Sequence, residues 1–377
     1  MKMVIMMEKN IMKKIIISGV SPGSGGVGNY MIYLMEKFPE TKFVYPSRIN
    51  SPYKFLNQLF NYFTLQILPL KILLINKKDV LILAQQYLSI KSMKHLIINN
   101  KASIYFMDNS FFCVKAYNYL SSNKGECFSC LNGKWENIEI NKCQPQPNIF
   151  TKKKLISINQ LILDNKHNIN FITLSKTNKN LLEKHLGADT PINYSYFLTK
   201  ELLERNKNNL ETITVIKNNF DFVFHGSDIE SKGFNYFIEL AKLLPEFTFF
   251  APSTKKSNIK NLTFKNFRWE SGLQKVVEES KVILTPSLWS NTPEAAMLKS
   301  LKYNGCVGFI DTEFGFGKEM DENSFISLTG DSMKDSALLK SIVIDEDQII
   351  SYKLNGLEYF DKYVKKASKH IDHVLDS

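Results

Sequence analysis

The sequence lacks an uninterrupted apolar run of the ~20 residues that a bilayer-spanning helix requires. Its apolar N-terminal stretch leads directly into a glycine-rich loop without a small-residue cleavage site, so no signal peptide is predicted. Internal short repeats and low-complexity tracts are also absent from the sequence. Hydrophobic residues nevertheless make up 44% of the 377 residues, which is enough for packed cores and favours two folded domains over a disordered chain.

The sequence contains only five cysteines, which is an odd number. Without a secretory signal, this favours a reducing, cytoplasmic setting over a disulfide framework. Cys127 and Cys130 form a Cys-x-x-Cys pair, with Cys143 after it and Cys113 before it, which is consistent with a structural zinc site in an insertion over residues 113–145. A second such pair is missing, so free thiols and a redox-dependent disulfide remain as alternatives. Any zinc here would stabilise the insertion and take no part in catalysis.

Acidic residues are outnumbered by basic ones, which gives a net charge of +11 and an isoelectric point of about 9.1. A basic surface favours anionic partners such as nucleotide diphosphates, an acidic membrane face or nucleic acid. The basic residues are scattered among Asn and Ile and form no recognition element, so nucleic-acid binding is not expected.

Short β-branched runs alternate with helical patterns along both halves of the chain. They include "KKIIISGV", "DVLILAQ", "ASIYFMD" and "INFITLS" in the first half, and "DFVFHGS", "KVILTPSLW" and "GCVGFID" in the second. Such alternation predicts doubly wound parallel α/β sheets that bind ligands at the carboxyl ends of their strands. We expect a first domain over residues 1–200, a second over 201–355, a cleft between them, and a closing amphipathic helix over 356–377.

Two glycine-containing loops could approach an anionic ligand. "GSGGVG" follows the first strand and precedes a helix predicted to begin near Asn29, so Gly25, Gly26 and Gly28 could bring backbone N–H groups to a ligand. It has neither dinucleotide-fingerprint spacing nor the Gly-Lys-Ser/Thr of a phosphate-binding P-loop. In the second half, Lys232 and Gly233 open a helix after a strand, a placement that suits a diphosphate.

The stretch "PSLWSNTPEAAMLKSLKYNG", residues 286–305, follows a strand and leads into another helix. Thr292 is predicted as the N-cap, Pro293 as the first helical residue, and Glu294 as part of the first turn. This places Ser290, Asn291 and Thr292 at the ligand-binding edge of the second sheet.

These motifs resemble the large retaining family of GT-B glycosyltransferases that includes many enzymes of bacterial surface-polysaccharide synthesis. The spacing from Gly226 to Lys232-Gly233 fits the family pattern, with Ser227 where Arg is usual. In the Pro-Ser motif, Asn291 and Lys299 stand where the family has its two Glu residues. "GSGGVGNYMIYL" is similar to the family's acceptor-side loop, and Ser175 occupies its usual serine position. The resemblance extends over roughly residues 15–310.

The resemblance implies two Rossmann-like domains and transfer of a sugar from a nucleotide diphosphate sugar to a saccharide or lipid-linked glycan, without a required metal. Asp108 and Glu294 are the candidate catalytic residues, Asp108 at the acceptor hydroxyl. The candidate donor-binding residues are Gly226, Ser227, Lys232, Gly233, Ser290, Asn291 and Thr292. The altered acidic positions leave an alternative, a non-catalytic sugar- or nucleotide-binding relative within a polysaccharide assembly complex.

Residues 53–78, "YKFLNQLFNYFTLQILPLKILLINKK", are densely apolar and bordered by lysines. One interpretation is a buried helix and strand of the first domain, broken at Pro69. The other is a surface that contacts the inner face of the cytoplasmic membrane, where a lipid-linked acceptor would reside.

Overall fold

The computed structural model of the protein describes residues 14–47, 54–204 and 219–376. The polar stretch at residues 198–215, which contains the predicted boundary after residue 200, lies largely outside these ranges, so the predicted division of the chain stays a prediction. Within the described residues, two six-stranded parallel sheets confirm the predicted α/β class.

The first half of the chain contains the first sheet, its helices and a small hairpin. Its strands are β1 (Ile15–Ser18), β2 (Phe43–Val44), β3 (Asp79–Leu83), β4 (Lys101–Phe106), β5 (Tyr119–Leu120), β6 (Gly125–Glu126), β7 (Ile169–Thr173) and β8 (Ile192–Tyr194). Its helices are α1 (Gly25–Lys37), α2 (Lys54–Leu73), α3 (Ile90–Asn99), α4 (Asn137–Ile140), α5 (Lys152–Asp164), α6 (Lys176–Leu186) and α7 (Lys200–Leu203).

The second half contains the second sheet and a long closing helix. Its strands are β9 (Phe222–Phe224), β10 (Phe249–Pro252), β11 (Leu262–Lys265), β12 (Val282–Leu284), β13 (Val307–Ile310) and β14 (Ile326–Leu328). Its helices are α8 (Phe234–Leu243), α9 (Leu273–Glu278), α10 (Ala295–Tyr303), α11 (Ser332–Ile344) and α12 (Glu346–Asp376). The closing helix thus begins ten residues before the predicted position.

The strand orders determine where each sheet can bind a ligand. The first sheet runs β2-β1-β3-β4-β7-β8, and the second runs β11-β10-β9-β12-β13-β14. The chain order reverses between β1 and β3 in the first sheet and between β9 and β12 in the second. In open parallel sheets, the loops at the carboxyl ends of strands beside such a reversal form the ligand-binding crevice.

Helix α12 connects the second half to the first. It follows α11 directly, yet the Tyr363 hydroxyl donates to the Phe197 carbonyl at 2.8 Å, and the His370 ring stacks on Tyr194. Gly305 and Gly356 allow α12 to approach the end of α10 so closely that a Cβ on either would overlap the opposing backbone. One hydrophobic cluster therefore contains residues of both halves, including Tyr30, Phe197 and Tyr363.

Helix α2 has both buried and exposed apolar residues. It continues through Pro69 to Leu73, so the predicted break at this proline is wrong. Leu68 and Ile72 are buried against the first sheet, whereas Ile67 and Leu70 are exposed. Among the described residues, no helix has both the length and the apolar content needed to cross a bilayer.

The four cysteines of the predicted insertion do not form the predicted zinc site. In the described ranges, which include all four, no group of three or more His, Cys, Asp or Glu residues could hold a metal ion. Two of the sulfurs have other partners, since Cys113 Sγ donates to the Tyr117 carbonyl and Cys127 Sγ to Ser129 Oγ, and Cys130 is buried in the core. All five cysteines are free thiols, in agreement with the second of the three interpretations.

Candidate active site

A cleft of about 640 Å³ lies where residues from both halves of the chain meet. The first half contributes Gly26, Val27, Met107, Asp108, Tyr117, Leu174 and Phe197. The second half contributes the loops after β9 and β12, together with residues that follow β10 and β11. The loops beside the strand-order reversal of the second sheet therefore line the same cleft as the glycine loop after β1. All of these loops follow the carboxyl ends of strands, where open parallel sheets bind ligands.

The Lys232 ammonium lies at the centre of a compact group in this cleft. Its Nζ is 2.7 Å from Glu294 Oε2, and both side chains are only 13% exposed. The same ammonium lies 4.8 Å from the centre of the Tyr117 ring and 4.9 Å from that of Trp289. Because aromatic faces attract cations, the two rings and the carboxylate together hold this charge in one position.

The local backbone explains why Lys232 lies there. Residues 230–232 form a short 3-10 turn that ends at Gly233, which has a φ of +77° and caps α8. A Cβ at Gly233 would overlap the Pro286 carbonyl oxygen, so only glycine allows this turn to lie against the loop after β12. The predicted opening of α8 by Lys232 and Gly233 is confirmed.

The loop after β12 differs from the prediction at its end. Helix α10 begins at Ala295 with Glu294 as its N-cap, so the predicted N-cap at Thr292 and first helical residue at Pro293 are wrong. Thr292, Pro293 and Glu294 precede the helix and line the cleft, and Glu294 has an extended backbone. Ala295 and Ala296 also line it, which brings the positive end of the α10 dipole to the Lys232 group.

Two polar atoms of this group have no hydrogen-bond partner among the described residues. They are Glu294 Oε1 and Trp289 Nε1, and both are buried. Burying an unpaired polar group costs free energy, so both atoms would gain from a polar ligand in the cleft. Trp289 is a residue that the sequence did not single out.

Asp108 lies on the first-half side of the cleft, just beyond β4. Burial raises the pKa of its carboxyl, and hydrogen bonds from Ser110 and Gln86 partly oppose this rise. Gln86 Nε2 donates to Asp108 Oδ2 at 2.9 Å from the 3-10 turn after β3. The carboxyl therefore has a fixed orientation and a raised proton affinity, both of which suit a group that exchanges a proton with a ligand hydroxyl.

The remaining predicted residues of the loop after β9 also lie in the cleft. Gly226 and Ser227 line it beside His225. His225 stacks on Trp269 with ring centres 5.0 Å apart and contacts Ser300 Oγ through Nδ1 at 2.8 Å. Burial, and to a smaller extent Lys299, lowers the pKa of His225 to about 3, so the ring is neutral at physiological pH.

The glycine loop after β1 has one residue in the cleft. Helix α1 begins at Gly25, four residues before the predicted position, and Gly26 lines the cleft with open space around it. Gly28 is instead required for packing, because a Cβ there would lie 2.7 Å from the Ser21 carbonyl oxygen. Gly25 has a φ of +64°, which favours glycine at this position.

Ser290 is buried in a hydrogen-bond network between the two halves rather than in the cleft wall. Its N–H donates to Asn118 Oδ1, its hydroxyl donates to Glu126, and its carbonyl accepts from Asn109 Nδ2. We call residues 109–131, which supply these partners, the bridging segment. These contacts could not be predicted from local sequence, because the partners are more than 160 residues apart along the chain.

Asn291 is also buried and supports the neighbouring loop. Its Oδ1 and its backbone carbonyl both accept from the Phe316 N–H. Lys299, the second altered acidic position, pairs with Glu201 and lies 4.6 Å from the centre of the Trp269 ring. Neither residue lines the cleft. The departures from the family's two Glu residues at these positions therefore leave the group around Lys232 intact.

Comparisons with known proteins identify the fold. No protein-family model and no curated protein sequence matches the chain. The solved structure of HepE from Anabaena in complex with UDP and glucose superposes with a TM-score of 0.57 at 13% identity, over 97% of this chain and 100% of that one. Sucrose-phosphate synthase from Thermosynechococcus elongatus gives a TM-score of 0.61 at 10% identity over 97% and 100% of the two chains.

The α,α-trehalose 6-phosphate synthase of Burkholderia multivorans is similar over 97% of this chain and 98% of its own, with a TM-score of 0.56 at 9% identity. At these identities the similarity is one of fold, and it extends over nearly the whole of each chain. The two parallel sheets, the cleft between the halves and these superpositions together confirm that the protein has the GT-B glycosyltransferase fold.

Proposed function

We propose that the protein is a glycosyltransferase that moves a sugar from a nucleoside diphosphate sugar to a saccharide or lipid-linked glycan, in the synthesis of a bacterial surface polysaccharide. The observation that carries this proposal is the position of Lys232. Its buried ammonium and the N-terminus of α10 lie on the second-half side of a cleft whose first-half side contains Asp108. The known structures with this fold include a complex with UDP and glucose.

In this proposal the diphosphate of the donor binds Lys232 and the free N–H groups at the start of α10. Both provide positive charge where the leaving diphosphate becomes more negative, so they stabilise the transition state electrostatically. No metal ion is required for this step. Gly226, Ser227 and Thr292 line the same side of the cleft and complete the donor site.

The reaction breaks the bond between the sugar C1 and the diphosphate and forms a bond from C1 to an acceptor oxygen. The acceptor hydroxyl loses its proton, and Asp108 accepts it. Glu294, released from Lys232 once the diphosphate takes its place, turns its carboxylate towards the donor sugar. We expect retention of the anomeric configuration, which chemical analysis of the product would test.

The proposed acceptor is a saccharide or a lipid-linked glycan. A lipid-linked acceptor would bring the protein to the inner face of the cytoplasmic membrane, and the net charge of +11 favours such a surface. We therefore include peripheral membrane contact and a cytoplasmic location in the proposal.

One observation favours the alternative of a non-catalytic binding protein. The Lys232 charge is already neutralised by Glu294 at 2.7 Å, so a diphosphate must displace a carboxylate before it can bind. A protein that never opens this ion pair would keep the fold and have no donor site.

Thermal unfolding with UDP, GDP, CDP and their sugars separates the two functions. We expect one nucleoside diphosphate to raise the Tm of the wild type, and the shift to disappear in Lys232→Ala. Lys340→Ala is the matched control, because it removes an exposed lysine paired with Glu246 at the same 2.7 Å, outside the cleft. An absence of any shift in the folded wild type would contradict a working donor site, whereas an equal shift in Lys232→Ala would contradict the role of this lysine.

A further inference from the structure

Helix α2 and the turn after it present an apolar stripe to solvent. Ile67, Leu70 and Leu74 are 45%, 63% and 85% exposed. Their spacing of three and four residues places them on one helix face. The opposite face, with Leu68 and Ile72, is buried against the first sheet. Folding buries the other face of the helix and leaves this stripe exposed. Exposure of a contiguous apolar surface to water is unfavourable.

Lysines surround this stripe without ion pairs. Lys42 and Lys71 line a groove of about 390 Å³ together with Leu74, and Lys77 and Lys78 follow directly in the chain. None of these four lysines forms an ion pair in the part of the chain that the structure describes. The stretch from residue 54 to residue 78 contains no acidic residue.

We propose that this surface, defined by Ile67, Leu70, Leu74, Lys42 and Lys71, docks on an anionic lipid bilayer. The apolar stripe would enter the boundary between headgroups and acyl chains, and the lysines would lie at the level of the lipid phosphates. This arrangement of an apolar face with flanking cations is the one that interfacial helices use. A second copy of the chain fits less well, because the same face on two copies would bring these lysines against one another.

The surface lies away from the cleft. Helix α2 runs antiparallel to the strands of the first sheet, and its last turn lies five residues before β3 begins. The stripe is thus near the amino ends of these strands, whereas the cleft is at their carboxyl ends. Docking would leave the cleft open. The inference deepens the proposed function by naming its membrane-binding surface, although its test requires no transferase activity.

Co-sedimentation with vesicles tests the inference. We expect the wild type to bind vesicles of phosphatidylcholine and phosphatidylglycerol and to bind pure phosphatidylcholine weakly. The double variant Leu70→Ser/Leu74→Ser should bind the anionic vesicles about tenfold less, as should Lys42→Glu/Lys71→Glu. Ile140→Ser and Met333→Ser are the matched controls, because these residues are 69% and 67% exposed at other surfaces and should leave binding unchanged.

Three results would overturn the inference: no binding of the wild type to anionic vesicles, unchanged binding of both double variants, or equal binding to pure phosphatidylcholine. A wild-type dimer that Leu70→Ser/Leu74→Ser converts to a monomer would assign the stripe to a second copy instead. Thermal shifts with nucleoside diphosphates, measured on the same preparations, report separately on the donor site. A wild type that shows the thermal shift but binds no anionic vesicles would overturn only the docking surface, whereas a wild type that binds the vesicles but shows no thermal shift would overturn only the donor site.

Discussion

The Tyr117 ring of the first half lies 4.7 Å from the Trp289 ring of the second half, measured between ring centres. Both rings contact the Lys232 ammonium, so a residue of the bridging segment completes a group whose other members belong to the second sheet. The proposed donor site is therefore formed by both halves, and its geometry depends on how they meet.

Replacing Tyr117 tests this dependence. Tyr117→Leu removes one aromatic face from the ammonium and should weaken nucleoside diphosphate binding about two- to fivefold, in line with ~0.5–1 kcal/mol for such a contact. Tyr117→Phe keeps the aromatic face and should bind as the wild type does. Isothermal titration calorimetry measures both variants. Equal losses in the two variants would assign the effect to the hydroxyl group rather than to the ring.

Replacing Glu294 should strengthen nucleotide binding and weaken transfer. Glu294→Gln removes the carboxylate that competes with a diphosphate for Lys232, so the Kd of the nucleoside diphosphate should fall by up to about tenfold. The rate of transfer should fall because a proposed catalytic carboxylate is lost. Calorimetry and a product assay measure the two effects.

Glu230→Gln is the matched control for Glu294→Gln. Its carboxylate accepts hydrogen bonds from Tyr119 and Ser121 and does not pair with Lys232. It should change neither nucleotide binding nor transfer by more than about twofold. Weaker binding by Glu294→Gln would show instead that this carboxylate contacts the donor directly.

Gly233 should tolerate no side chain. Gly233→Ala introduces a methyl group that overlaps the Pro286 carbonyl oxygen at a φ of +77°. We expect the free energy of unfolding to fall by about 2 kcal/mol or more. Urea denaturation measures the effect. Gly125→Ala is the control, because its nearest neighbour would be 3.8 Å away, and a similar loss there would contradict the steric explanation.

Acidification should destabilise the protein through His185. Its ring contacts Asn159 Oδ1 through Nε2 and accepts the Asn132 N–H through Nδ1, and burial lowers its pKa from 6.5 to about 4. Between pH 6.5 and pH 4 the unfolded chain binds a proton that the folded protein does not, so stability falls as the pH falls. At pH 5 this one residue should cost on the order of 2 kcal/mol.

Urea denaturation at pH 7 and pH 5 measures this cost. His225 has a similarly lowered pKa and contributes to the same trend. His185→Gln should therefore lose less stability between the two pH values than the wild type, while it retains the part that His225 causes. The same loss in both proteins would contradict the role of His185.

The central strands were predictable from the sequence, whereas the edge strands were not. Strands β3 and β7 consist mainly of apolar residues because helices cover both faces of the sheet. The edge strand β2 is only two residues long, and β11 has a single buried residue, so neither produces such a run. The hydrophobic pattern therefore identified the fold class and left the sheet edges undefined.

The site was predictable only where local sequence determines the structure. Lys232 could be placed in the cleft because a strand, a polar loop and a glycine surround it. Ser290 and Asn291 could not be placed, because their partners Asn118 and Phe316 are distant in the chain. The late start of α10 agrees with these contacts, because both residues lie outside the helix where they make them, and the helix begins only after them.

Several cysteine thiols are buried, so fluorescent dyes could be attached selectively to cysteines introduced elsewhere. Such dyes would allow movement of the two halves to be measured. Burial raises the pKa of Cys130 and Cys306 to about 12, and it also raises the pKa of Cys113. Maleimide dyes react with thiolates, which these residues hardly form at neutral pH. Once the three partly exposed cysteines, Cys113, Cys127 and Cys143, are replaced by serine, a cysteine introduced on each rim of the cleft would carry a dye pair selectively. Energy transfer between the dyes would then follow opening and closure of the cleft in single molecules.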